Sequence, residues 1–192
     1  FSASLPGMQL AIDSTSLGVF KECPRKYYYS IIWGWQTKED NVHLVFGILI
    51  HKSREHYDHA KTRGASHEEA LERTVKWALI ETWNKELGRP WISQDANKNR
   101  ETLIRSIIWY LDKFENEVLK TVIGADGKPL VELSFRFDIG MKTLSFDEPI
   151  VVCGHGDRIA ENDEAKFWLD VKTTKHTLNA AFFAQFAPHN QF

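Results

Sequence analysis

The hydrophobic period of the chain changes once, at Gly124-Ala125-Asp126-Gly127, and no other feature restricts the fold as much. Upstream, apolar residues return every three or four positions. Leu71, Val75, Ala78, Leu79 and Trp83 form one stripe, and Ile104, Ile107, Ile108, Leu111, Phe114 and Val118 form another. That spacing predicts amphipathic helices. Downstream, Val131, Leu133, Phe135, Phe137 and Ile139 alternate with Glu132, Ser134, Arg136 and Asp138, which is the period of a strand with one buried face. Helices first and a small sheet later define an α/β chain with α+β-like order.

Caps and breakers divide each half further. Ser14, Thr15 and Ser16 offer N-caps to a helix bearing Leu17, Val19 and Phe20. Pro24 suits the first turn of a second helix with Tyr27, Tyr28, Ile31 and Ile32. A third helix is expected from about His43 to Arg63, closed by Gly64, and a fourth after the Ser66 cap. Strands are expected at about Pro149–Ala160 and Ala165–Thr173, with a last helical piece near Leu178. At 192 residues and 43% hydrophobic content, the chain is long enough to bury one sizeable core. The expectation is a single domain over 1–192, with a helical region at 13–120 and a sheet core at 130–192.

Composition narrows the partners. No apolar run reaches the length of a membrane span, so no membrane partner is expected. A formal net charge of −2 argues against coating nucleic acid by bulk charge, but leaves room for a local basic patch. Two cysteines, Cys23 and Cys153, are too few for a disulfide framework and fit a reducing, cytoplasmic setting.

Chemistry concentrates between Gly154 and Thr174. The run Gly154-His155-Gly156-Asp157-Arg158-Ile159 precedes a turn at Glu161-Asn162-Asp163-Glu164, and Leu169-Asp170-Val171-Lys172-Thr173-Thr174 follows. Folded as a hairpin, this brings Asp157 near Asp170, while Asp170 and Lys172 share a face at i and i+2. Two carboxylates and a lysine at one point suit a hard divalent cation beside a water to be activated. A D-x-K triplet alone is common, and an exposed Asp–Lys pair is usually inert.

A G-x-x-D-R-I strand followed by D-x-K-T resembles the core of the PD-(D/E)XK nuclease superfamily. Within it, the motifs look like the RecB-type exonuclease branch, which includes CRISPR-associated adaptation nucleases and helicase-linked nuclease domains. The likeness extends to Cys23-Pro24-Arg25-Lys26-Tyr27-Tyr28, to Gly47-Ile48-Leu49-Ile50-His51 and to the terminal Gln191. It implies a restriction-endonuclease-like mixed sheet flanked by helices, and a domain that continues past Phe192. It also implies a metal-dependent deoxyribonuclease using one or two Mg²⁺ or Mn²⁺ ions.

In that reading Asp157, Asp170, the Val171 carbonyl and His51 hold metal, and Lys172 serves the attacking water. Gln191 would open a Q-x-x-x-Y motif, with Gln185, which has His189 four residues on, as the rival position; Glu132 ranks lower, at the edge of the site. DNA is the implied substrate, with a helicase, recombinase or CRISPR protein as partner. An iron–sulfur cluster needs four thiolates, which these residues do not supply. Two alternatives stay open: a catalytically silent DNA-docking or subunit-interaction module, and a carboxylate-pair glycosidase that would leave Lys172 and His51 without a role.

Overall fold

The computed structural model describes residues 10–37, 41–145, 147–174 and 178–184. In chain order these form β1 (Leu10–Ile12), α1 (Ser14–Glu22), α2 (Pro24–Tyr27), α3 (Val42–Thr62) and α4 (His67–Glu81). Then come β2 (Trp83–Asn84), β3 (Arg89–Pro90), α5 (Arg100–Lys113) and β4 (Lys120–Thr121). The long strands β5 (Val131–Lys142) and β6 (Pro149–Glu161) follow, then β7 (Lys166–Leu169) and α6 (Ala180–Ala184). The fold is mixed α/β with a helical amino-terminal part, and its five-stranded sheet is centred on β6. Along β6, β1 pairs in parallel at Ile150–Val152, while β4 and β7 pair antiparallel near Ala160.

The chain divides into two compact units: Phe1–Lys38, Ser134–His155 and His176–Phe192 in one, Glu39–Leu133 and Gly156–Lys175 in the other. In the first, Asp13 rather than a serine caps α1. It accepts the Ser16 N–H, and Ser16 occupies the reciprocal position of a capping box. Pro24 does open α2, which widens into a π-turn over Tyr28–Ile32. β5 keeps strand geometry to Lys142, but Phe137 and Ile139 are exposed, because alternation buries a face only where a second layer meets it. Phe135 finds such cover across the strand at Gly154, where an added Cβ would stand 2.6 Å from its Cζ.

The second unit holds the main core. Asn41, the Ser66–Glu69 pair and the Asn99–Thr102 pair cap α3, α4 and α5. Leu103, Ile107 and Leu111 of α5 are at most 1% exposed and pack with Phe46, Leu49, Ile50 and Tyr57 of α3. From α4 the buried face is Ala70, Thr74 and Ala78, while Leu79 stays exposed. The expected Leu71–Trp83 stripe is therefore rotated: small residues let three helices approach closely, and the larger apolar residues fall to the margin. The α5 stripe also ends early. Phe114 caps the helix, and Val118 lies beyond it in solvent. No helix of the described residues is long and apolar enough to cross a membrane.

Candidate metal centre

Three elements of the second unit bring the polar groups together. α3 carries His51, the start of β5 carries Glu132 and the middle of β6 carries Asp157. His51 Nδ1 lies 3.2 Å from Asp157 Oδ1 and 3.5 Å from Glu132 Oε1. One ligand atom from each of the three falls within 4.8 Å of the others. Both carboxylates face the same imidazole nitrogen, so a divalent cation would take the place of the imidazole proton. One imidazole with two carboxylates is a donor set for a divalent ion of intermediate hardness, and the residues present fit such an ion.

Glu132 reaches this point by breaking the strand pattern. Its φ of 49° lies in the left-handed region, at the first step after the buried Val131. For a residue with a Cβ that conformation costs on the order of 1–3 kcal/mol. Simple alternation makes Glu132 a solvent-side carboxylate, whereas the strained turn aims it at His51.

The titration of the three groups reflects their packing. The hydrogen bond to Asp157 raises the His51 pKa above its ordinary 6.5, against the opposing effect of burial. Burial raises Glu132 above 4.5, and the neighbouring Asp157 charge adds to it. Burial alone would raise Asp157 as well, but hydrogen bonds from His51 and from the Val171 N–H bring it below 3.8.

The D-x-K segment departs from its expected geometry. β7 ends at Leu169, so Asp170 and Lys172 lie past the strand and not within one running to Thr173. The reason is local: the Val171 N–H donates to Asp157 Oδ2 at 2.5 Å. A side chain has taken the place of a ladder carbonyl, and the backbone leaves the sheet. Asp170 Oδ1 accepts from Lys172 Nζ at 2.7 Å, a half-exposed pair outside the His51–Glu132–Asp157 group. Val171 meets the group through its N–H, which holds Asp157. Gln191 lies outside the described residues. His56 stacks on Trp77 with ring centroids 4.7 Å apart, and His59 sits 3.9 Å from Glu55, so neither belongs to the group.

Behind the centre stands an ion network that sequence reasoning missed. Arg54 donates to Asp58 at 2.9 Å and to Glu117 at 2.8 Å, and Arg158 meets the same Glu117 oxygen at 2.7 Å. Arg54 is one helical turn from His51 and Arg158 follows Asp157, so Glu117 ties together the two elements that carry those side chains. The available signal was Arg54 and Asp58, charged residues at i and i+4 among Ile50, Tyr57 and Ala60 on α3. Lys98, also buried, lies 4.3 Å from the Phe46 ring centroid and donates to Thr173 Oγ1 at 3.2 Å, anchoring the residue after Lys172. Burial lowers its pKa below 10.5.

The glycines of the Gly154–Ile159 run also have a physical reason. A Cβ on Gly156 would overlap the Trp168 indole, which lies across the β6 backbone next to Asp157. An imidazole from α3 and two carboxylates from the sheet, beside Lys172, fit the chemistry of a metal-dependent hydrolase. The family comparison gives the same class more narrowly: residues 14–191 match the PD-(D/E)XK nuclease superfamily, and the chain belongs to it. PD-(D/E)XK proteins are generally metal-dependent nucleases with DNA as substrate, and the mixed α/β fold is consistent with their restriction-endonuclease-like architecture. No curated protein sequence matches the chain.

Proposed function

We propose that the chain is a Mg²⁺- or Mn²⁺-dependent deoxyribonuclease of the RecB type, acting as an exonuclease in repair, recombination or phage and CRISPR DNA processing. The observation that carries the reading is the meeting of His51, Glu132 and Asp157 around one point, on a chain of this superfamily. The ordered motifs from Cys23-Pro24-Arg25 through Gly47…His51 to Asp170-Val171-Lys172 support the exonuclease branch. They also support a helicase, recombinase or CRISPR partner, and the two cysteines support a cytoplasmic setting.

In this mechanism His51, Glu132 and Asp157 would hold the ion, and the family resemblance adds Asp170 and the Val171 carbonyl as oxygen donors that would complete the set. Bound there, the ion supplies Lewis acidity toward the phosphate and lowers the pKa of a coordinated water. Lys172 orients the attacking water and offsets the charge that develops on the phosphate. Asp170 positions the Lys172 ammonium through their ion pair. The Val171 N–H fixes the Asp157 carboxylate, so one oxygen remains directed at His51. Gln191, by the family resemblance, would help hold Lys172 and the DNA strand.

The test is digestion of end-labelled linear DNA and of closed circular single strands, with Mg²⁺, Mn²⁺ or EDTA. Metal-dependent loss of the linear substrate with the circle spared is expected. Lys172→Ala, a half-exposed change, should leave the fold intact and abolish digestion. Full activity in that variant would defeat the role of Lys172, and inertness of the unaltered protein with every metal would defeat the enzyme reading.

A further inference from the structure

Two cavities open on the side of α3 next to the metal centre, all within the second compact unit. The larger, about 520 Å³, is walled by Ile48 and Lys52 of α3 and by Trp83, Arg89 and Trp91 in and after the β2–β3 hairpin. The smaller, about 440 Å³, lies between α3 and α4 and is lined by His56, Arg63, Arg73 and Trp77. Lys52 and Glu81 belong to both. Glu55 belongs to the smaller cavity and to the cleft formed by His51, Glu132 and Asp157. The three are therefore neighbours through shared walls, with Lys52 about 100° around α3 from His51.

We propose that this surface is a track for unpaired DNA, in which a base stacks on Trp83 while Lys52, Arg63, Arg73 and Arg89 receive the phosphates. The proposal rests on the nuclease reading and extends it to a substrate-binding site away from the metal ligands.

The cations are the first support. Lys52, Arg63, Arg73 and Arg89 line the two cavities and form no ion pair among the described residues. These four face only Glu55 and Glu81 across the two cavities, in a chain whose net charge is −2. A local excess of unpaired positive charge in an acidic protein complements a polyanion.

The aromatic wall is the second support. Trp83 is 45% exposed beside an open cavity, with Ile48 and Ile92 also presenting apolar surface. An exposed indole face flanked by Lys and Arg binds any base without reading its edge. A duplex keeps its bases stacked on one another, so this wall selects unpaired strands. The third support is adjacency: Glu55 lines both the smaller cavity and the cleft of His51, Glu132 and Asp157.

The test is fluorescence anisotropy of a labelled oligo-dT of about ten nucleotides, in EDTA so that nothing is cut. An abasic oligonucleotide of equal length and a blunt duplex serve as comparisons. Wild type should bind oligo-dT about tenfold more tightly than the abasic strand. Trp83→Leu, which keeps apolar cover but removes the π face, should erase that preference. Arg89→Ala should weaken both strands alike and flatten the salt dependence.

Equal binding of oligo-dT and the abasic strand by wild type would overturn the proposal. So would an unchanged preference in a Trp83→Leu variant with native circular dichroism, or tighter binding of the duplex. Digestion read separately tells the two readings apart. Base-dependent binding without hydrolysis under any metal would refute the nuclease and keep the track, whereas hydrolysis without base-dependent binding would do the reverse.

Discussion

Glu117 offers the sharpest test of how the candidate metal centre is held. It accepts from Arg54 at 2.8 Å and from Arg158 at 2.7 Å, and the Arg158 side chain is only 4% exposed. Removing Glu117 affects the two arginines unequally. Arg54 keeps Asp58 at 2.9 Å. Arg158 keeps only the Leu119 carbonyl at 3.0 Å, and its Nε already has no partner among the described residues. Glu117→Ala therefore strands one buried guanidinium, a loss of about 3–5 kcal/mol for a broken buried pair. Glu117→Leu combined with Arg158→Met removes both charges at similar volume and should recover most of that loss.

Urea unfolding followed by circular dichroism measures this. The midpoint should fall at constant slope for the single variant, since the exposed surface on unfolding is unchanged. A Glu117→Ala cost below about 1 kcal/mol would refute the account, being the size of a surface pair. A double variant no more stable than the single would refute it equally. Titration calorimetry of Glu117→Gln adds a functional readout: Mn²⁺ affinity should drop although no proposed ligand was altered, because Arg54 and Arg158 flank His51 and Asp157.

Metal binding should strengthen with pH. His51 has a pKa raised above 6.5 and Glu132 one raised above 4.5, so protons compete with the cation up to those raised values. Mn²⁺ affinity by calorimetry should be higher at about pH 8.5 than at about pH 6, with protons released on binding; a flat profile would exclude His51 as a ligand. For the metal-free protein the sign reverses: the His51 contribution to stability is complete below 6.5 and is lost as pH rises through its folded-state value. Gly156→Ala should destabilise the hairpin through its clash with Trp168, and adding Trp168→Ala should relieve part of the loss in thermal unfolding. Leu111→Ala, at 1% exposure in the α5 core, should cost about 2–5 kcal/mol in urea unfolding without changing Mn²⁺ affinity.

The sequence by itself determined the order of the long elements and where the candidate site lies. The change from helical to strand period at residues 124–127 places α5 before and β5 after it, because periodicity is a local property of which face is apolar. Asp157, Asp170, Lys172 and His51 were legible as spaced motifs. The short strands β1, β2, β3 and β4 were not, since two or three residues carry no measurable period.

What the tertiary structure alone decided was which groups meet. Glu132 joins His51 and Asp157 because its backbone takes a left-handed turn, a cost that only the packed site makes visible. Asp170 turns to Lys172 because the Asp157 carboxylate captures the Val171 N–H and ends β7 early. Glu117 links Arg54 and Arg158 across many residues of intervening chain. Such contacts depend on long-range burial, where desolvation makes partners compulsory, and no local spacing rule records them.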